Sequence, residues 1–490
     1  MVQKQVCKIF FLTMFLGFFC FAKDSLAADH FVSPTGSGTE YSQSNPGNFK
    51  SALAHVTAGD TILLMDGTYQ DTSITAYSYS AWISAFSPTN SGTASEPITI
   101  KAVNRLGAVI IPPDVYHTTG NPKLAAIGIK GKNYIVIDGL RVRGMIGIYG
   151  QEGGGDYNVV KNCEVTVGAI QSTDTSLNYG IVVTAGATYN LVQNNYVHDI
   201  VDSGNHGHNA GGIMLLNPAG GPATTHNIIE YNTVDSGNVL GTVFGIKGGY
   251  NINDNIWRYN FGKNAYGTAF IQMGSTGGST WDNFRNIVHN NIIVNTPYFM
   301  EAYHSGSDWQ MYNNTFYNST SSLNGESVEF LHMADNAENV PFGQRPCKNQ
   351  VVYNNLAVMG SRGYYQYYNT ANWWNESFVY SDYNQFYNYS SWCRNYATNH
   401  SLASWRTLTS ASGFDAHSVT SNPGFLNASG NFSASSDFKR STYPTDGRGG
   451  SYPSVIGAYV TGNETIGYTA EGTVPEDETP PAIPSGLSVI

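Results

Sequence analysis

A twelve-residue pattern recurs eight times and constrains this chain more than any other feature. YNVVKNCEVTVG begins at Tyr157, YNLVQNNYVHDI at Tyr189 and HNIIEYNTVDSG at His226. NDNIWRYNFGKN, RNIVHNNIIVNT, DWQMYNNTFYNS, NQVVYNNLAVMG and VYSDYNQFYNYS follow. Each holds a short strand pattern, one fixed position, and a second short strand pattern. The fixed positions are Cys163, Asn195, Asn232, Asn260, Asn291, Asn314, Asn355 and Asn384. Their spacing runs from 23 residues (Asn291 to Asn314) to 41 (Asn314 to Asn355). Irregular spacing argues against propeller blades or helical repeats. It fits a parallel β-solenoid whose coils carry loops of different length. Such strands are too short to bury a face alone, and stacking supplies the partner above and below. An Asn at one turn of every coil predicts an internal ladder, each amide donating to a carbonyl of the next coil. Composition agrees: 53 Gly and 33 Tyr with only 12% charged residues suit short strands and tight turns.

The N-terminal stretch HFVSPTGSGTEYSQSNPGNFKSALAHVTAGDTILLMDGTYQD, with GTASEPITIKAVNRLGAVI, resembles the opening of the pectate-lyase-like right-handed β-helix superfamily. The resemblance implies a strand at 30–33, a capping helix near 49–56 and a strand at 61–65. NPGFLNASGNFSASSDF and PSVIGAYV resemble that superfamily's closing coils. The expected fold is therefore an all-β, right-handed parallel β-helix over residues 28–460 with an N-terminal helical cap.

The ends read differently. Lys4 and Lys8 precede an apolar run, and Ser25-Leu26-Ala27 offers a cleavage site, so residues 1–27 read as a signal peptide. Their removal takes the formal charge from −11 to −13. An acidic exported chain is a poor nucleic-acid binder. Nothing later approaches a membrane span. The expected setting is extracellular, with the periplasm or cell surface as alternatives, and the expected state is a monomer. Residues 461–480 are rich in Pro, Glu and Thr and read as a linker. PPAIPSGLSVI resembles the first strand of a fibronectin type III domain, which residues 481–490 would begin as a truncated copy. Cys163 reads as a buried thiol, and Cys347 with Cys393 as a candidate bridge.

Aligning GIMLLN, GIKGG, FIQMG, FMEAYH and FLHM on their apolar anchors turns Ile213, Ile246, Ile271, Met300 and Leu331 inward. Lys247, Gln272, Glu301 and His332 then form one outward column, with coils about 4.8 Å apart. An amine, an amide, a carboxylate and an imidazole this close permit pKa tuning. The loop VHDIVDSGNHGHNAGG adds His198, Asp199, Asp202, His206 and His208. Oxygen ligands on a loop favour calcium over zinc, with Asp202 and Glu301 as its ligands.

This column suits β-elimination in a uronic-acid-containing glycan. The reaction needs a base near the proton α to the carboxyl group, and donors or a cation on that carboxylate. Lys247 is the candidate base; Gln272 and His332 are candidate carboxylate holders. The layout is similar to the alginate and chondroitin-type lyases, whose lysine Lys247 would match. Where those lyases place an arginine on the next coil, this chain has Gln272. The resemblance implies calcium as cofactor and an anionic or neutral polysaccharide as partner. Two other readings stand beside a secreted polysaccharide lyase. A glycoside hydrolase would use the paired carboxyls Glu301 and Glu329. A non-catalytic carbohydrate-binding or surface protein would stack sugars on GYYQYYNTANWWNESF.

Overall fold

The computed structural model describes residues 27–74, 83–112, 124–166, 178–199, 210–218, 221–239, 241–249, 251–273, 283–303, 306–333, 347–366, 373–395, 397–427, 429, 431–443, 447–448 and 454–471. The expected signal peptide and fibronectin-like end lie outside them.

Each coil contributes three strands, so the solenoid has three faces. Leu191–Gln193, Tyr196–His198 and Ala210–Asn217 are the first-, second- and third-face strands of one coil. The first face is a twelve-stranded parallel sheet from Asp29–Val32 to Phe378–Asp382. The second and third faces merge into one sheet of 21 strands. They merge where Leu356–Gln366 and Gln385–Asn395 run through both without a break. This is the right-handed parallel β-helix expected from the repeats.

Alternation along each strand explains the core. On the first face Val160, Val192, Ile229, Trp257, Val288 and Met311 stand in register and are fully buried. Each such side chain contributes about 1.5–3 kcal/mol on leaving water. At the N-terminal end the helix Phe49–His55 closes the stack. Asn48 caps it by accepting from the Ser51 amide, and Phe49 packs on Tyr69 and Phe86.

The asparagine ladder is present from Asn195 to Asn384. From Asn232 on, each Oδ1 accepts two bonds from the coil before. Asn260 Oδ1, for example, accepts the Asn232 backbone amide and its Nδ2, both at 3.0 Å. Each Nδ2 donates to the next Asn Oδ1 and to a main-chain carbonyl of the preceding coil, as Asn260 does to Asn291 and Ile229. The carbonyl that accepts thus belongs to the preceding coil, where the sequence reading expected the next. Cys163 starts the ladder by donating its backbone amide to Asn195, and Ser418 Oγ ends it by accepting from Asn384. A second ladder, Asn158–Asn190–Asn227–Asn255–Asn286, runs where each coil enters the first face. It was legible as the second residue of YNVV, YNLV and HNII. Residues just before the first ladder take φ values of 51–56°, including Tyr231, Tyr259 and Tyr383. That conformation disfavours a side chain. Tyr231 and Tyr259 offset the cost by stacking at 5.2 Å.

The C-terminal part departs from expectation. Residues 422–471 add no closing coil among the described residues. They double back as a strap over the second face. Phe432, Phe438, Ala458, Tyr459 and Ile466 pack with Phe261, Ile292 and Val294. Gly457 N donates to Asn354 O, Gly467 N to Tyr259 O, and Thr469 N to Asn194 Oδ1. Arg105 Nη2 meets the Tyr468 hydroxyl at 2.8 Å. The expected linker from 461 is therefore part of the packed domain as far as 471. Its Thr and Gly residues supply the small side chains and turns that let a chain lie flat on a sheet. No disulfide joins Cys347 to Cys393: the first precedes a first-face strand and the second lies on the third face. Cys163 is fully buried as expected, and burial pushes its thiol up to about 12. No helix among the described residues is long and apolar enough to cross a membrane.

Candidate active site

Strand register on the third face decides which polar residues meet. The inward row is Ile213, Phe244, Phe270, Met300, Leu331 and Tyr364. Ile213, Met300 and Leu331 are the anchors expected from sequence. Phe244 and Phe270 take the places assigned to Ile246 and Ile271. The reason is local. VFGIKGG carries apolar residues two apart, and Gly245 adopts φ +137°, which shifts the apparent anchor by two. TAFIQM carries its apolar residues side by side, which shifts it by one.

The next row in backbone register is consequently Met214, Gly245, Ile271, Glu301, His332, Tyr365 and Arg394, and it faces outward at Glu301 and His332. Glu301 and His332 are direct neighbours, as expected. Lys247 pairs with Leu216, and Gln272 pairs with Ile246 and Ala302. The four-residue column is thus broken in register between Lys247, Gln272 and Glu301. The side chains of Lys247 and Gln272 lie outside the described atoms, as do residues Asp202, His206 and His208.

A second outward row, Tyr298, Glu329 and Arg362, runs beside the first. Between the rows each strand bends, so that Phe299 and Phe330 turn inward and stack at 4.7 Å. The bend brings both rows toward one point. His332 Nδ1 lies 2.5 Å from Glu329 Oε2. Arg362 Nη2 lies 2.5 Å from Glu329 Oε1, an ion pair rather than an aligned hydrogen bond. Glu329 is closed off at 1% side-chain exposure, whereas His332 and Arg362 keep 14% and 13%. The Tyr298 ring sits 4.5 Å from the His332 ring, and its hydroxyl donates to Glu326 at 2.9 Å. Burial raises the Tyr298 hydroxyl far above its ordinary pKa, and Glu329, Glu326 and Glu301 raise it further. Beyond His332, Arg362 lies 4.3 Å and Arg394 5.8 Å from the Tyr365 ring centroid.

Sequence reading found Glu301 and His332, and named Glu329 only as a hydrolase candidate. It missed Tyr298, Arg362, Tyr365 and Arg394. For Tyr298 and Arg362 the missed signal was the polar residue two positions before the anchor, and Tyr365 and Arg394 each follow theirs by one. The aromatic stretch from Gly363 is not an exposed sugar platform throughout. Tyr364, Trp373, Trp374 and Phe378 are core residues that close the C-terminal end around Trp405.

The calcium expectation rests partly on Asp202, which lies outside the described residues. Among the described residues no group of three His, Cys, Asp or Glu side chains is arranged to hold a metal. Of the two expected ligands only Glu301 is described. No chemical step is derived through a metal here.

No protein-family model and no curated protein matches the chain. Several solved structures are similar to the chain at low identity. The pectate lyase Pel9A is 16% identical over 69% of this chain and 76% of its own, with a TM-score of 0.42. A mannuronic acid specific polysaccharide family 6 lyase from human gut microbiota is 14% identical over 76% and 77%, also at 0.42. A GH136 lacto-N-biosidase from Eubacterium ramulus is 11% identical over 76% and 66%, at 0.37. These values concern the fold alone.

Proposed function

We propose that the chain is a secreted polysaccharide lyase that cleaves a uronic-acid-containing glycan by β-elimination on the third face. The observation that carries this reading is the buried Glu329 held between His332 and Arg362. A carboxylate at Nδ1 fixes the imidazole tautomer and leaves the lone pair on Nε2, as in other carboxylate–histidine pairs. His332 Nε2 is then the base that takes the proton α to the uronate carboxyl group. As that C–H bond breaks, a C=C bond forms and the glycosidic C–O bond at the next carbon breaks. The departing oxygen takes the hydroxyl proton of Tyr298, which burial keeps protonated at neutral pH. Arg362 and Arg394, around Tyr365, offer the positive field that acidifies the substrate proton.

A hydrolase reading fits less well. It needs two carboxyls facing the scissile bond, one holding a proton. Both oxygens of Glu329 are engaged within the protein. Calcium at Asp202 and Glu301 stays an expectation from sequence with no step assigned to it.

The test is the appearance of unsaturated uronate, read by absorbance, over a panel of acidic and neutral glycans. His332→Ala should lose about 10²–10⁴-fold in turnover. Lys247→Ala separates the two candidate bases. Full loss there with His332→Ala active would return the base to Lys247. Only saturated products would make the enzyme a hydrolase.

A further inference from the structure

Glu326 is used by neither step above, yet it is held in place with care. It lies on a two-stranded antiparallel hairpin, Ser322–Leu323 with Glu326–Ser327. Asn324 and Gly325 form the turn with φ +51° and +84°, the conformation that Asn-Gly favours in tight hairpins. Ser322 Oγ donates to Glu326 O at 2.9 Å, and Ser361 Oγ of the next coil donates to Ser321 O at 2.7 Å. The hairpin thus presents an exposed carboxylate beside the proton donor Tyr298.

Charge around the site is polarised along the solenoid. Glu301 and Glu326 gather at the Tyr298 coil. Glu329, one coil on, is neutralised by Arg362. The guanidiniums of Arg362 and Arg394 belong to the two coils after His332. A polymer lying across these coils meets positive charge on one side of His332 and negative charge on the other. Two like charges a few ångströms apart repel, more strongly beside a protein surface than in open water. With Arg362 spent on Glu329, a uronate is favoured toward Arg394 and opposed near Glu326.

We propose that Glu326 is a specificity residue that accepts an uncharged sugar beside Tyr298 and refuses a uronate there, so that the substrate alternates uronate with neutral sugar. This rests on the lyase reading above. It differs from a merely positional role for Glu326, which would lower all rates alike.

The experiment compares two polymers of matched length: a homopolymeric uronate, and one alternating glucuronate with an N-acetylhexosamine. Wild type should favour the alternating polymer at least tenfold in kcat/KM. Glu326→Gln should move the ratio toward the homopolymer by about tenfold, mainly through KM, and Glu326→Lys further. Thermal unfolding of each variant checks that the hairpin persists. Equal wild-type rates on both polymers overturn the proposal. So does an unmoved ratio in both variants while His332→Ala is inactive, which leaves the lyase reading standing. No unsaturated product from either polymer, or an active His332→Ala enzyme, removes both readings together.

Discussion

Asn260 donates its side-chain amide to Asn291 Oδ1 at 2.9 Å while its backbone amide reaches the same oxygen at 3.0 Å. One oxygen thus serves two donors of the coil below, at a fully buried turn. Replacing Asn291 with Ala removes the shared acceptor of both donors and the donor to Trp257 O, His289 O and Asn314 Oδ1. A cost of at least about 1–3 kcal/mol follows from one such buried loss. Equilibrium denaturant unfolding measures it. A variant as stable as wild type would mean that the ladder bonds are replaceable.

Glu329→Gln keeps the shape of the site but offers His332 an ambiguous partner. The imidazole can then place its proton on Nε2, where it is useless as a base. Turnover should fall by about 10²-fold or more with KM moved much less. Steady-state rates on whichever uronate polymer the wild type cleaves decide this. Arg362→Gln should lower turnover too and also weaken substrate binding, since that guanidinium is assigned two tasks.

His289 sits between Tyr259 and Tyr312, stacked on the latter at 4.8 Å. Burial holds its imidazole down to about 4, with Arg258 adding to the effect and Asn290 opposing it. The folded state keeps His289 neutral, whereas the unfolded chain protonates near 6.5. Its contribution is therefore complete above pH 6.5 and lost as the pH falls toward 4. The loss is on the order of 1–3 kcal/mol. His289→Gln should flatten the fall of stability across that window, as read by thermal unfolding at stepped pH. An unchanged slope would assign the acid sensitivity to other groups.

Asp415 closes the C-terminal end of the core. It is fully buried and accepts from Trp405 Nε1 at 2.8 Å, Trp392 Nε1 at 3.2 Å, Ser418 at 2.6 Å and Ser381 at 3.1 Å. Asp415→Ala leaves two indole N–H groups without an acceptor and should cost about 3 kcal/mol or more. Tryptophan fluorescence should shift to the red in the same variant. A blue or unchanged emission would mean that the indoles stay shielded.

The fold was legible because a parallel solenoid writes itself into the sequence at one residue per coil. Asn at the turn and an apolar residue at fixed distance survive any change of loop length. The site was only half legible, for a reason visible at Phe270 and Ile271. Two adjacent apolar residues offer two alignments, and a one-residue slip exchanges outward for inward positions. The second apolar residue serves as anchor in FIQMG, FMEAYH and FLHM alike, and that choice matches the register at Met300 and Leu331 but not at Ile271. Strict alternation would put Glu329 and Tyr298 inward, which hid Tyr298 and left Glu329 as a hydrolase candidate only. The bend at Phe299 and Phe330 breaks that alternation, and nothing in a single strand's composition announces it. The strap was misread for a related cause, since apolar residues that pack on an outer wall look like those of one more coil.

The strap also alters how the molecule should come apart. A bare solenoid is a chain of nearest neighbours, free to unravel from either end one coil at a time. Here the bond between Arg105 and Tyr468 joins residues 363 apart in sequence. Between them the strap touches Asn354, Asn313, Asn290, Tyr259 and Asn194 in turn. Contacts of such separation form late, because the chain between them must be ordered first. Once made, they wire distant coils in parallel rather than in series. A tug on one end is then shared by the whole stack, and the molecule behaves as a laced column instead of a spring.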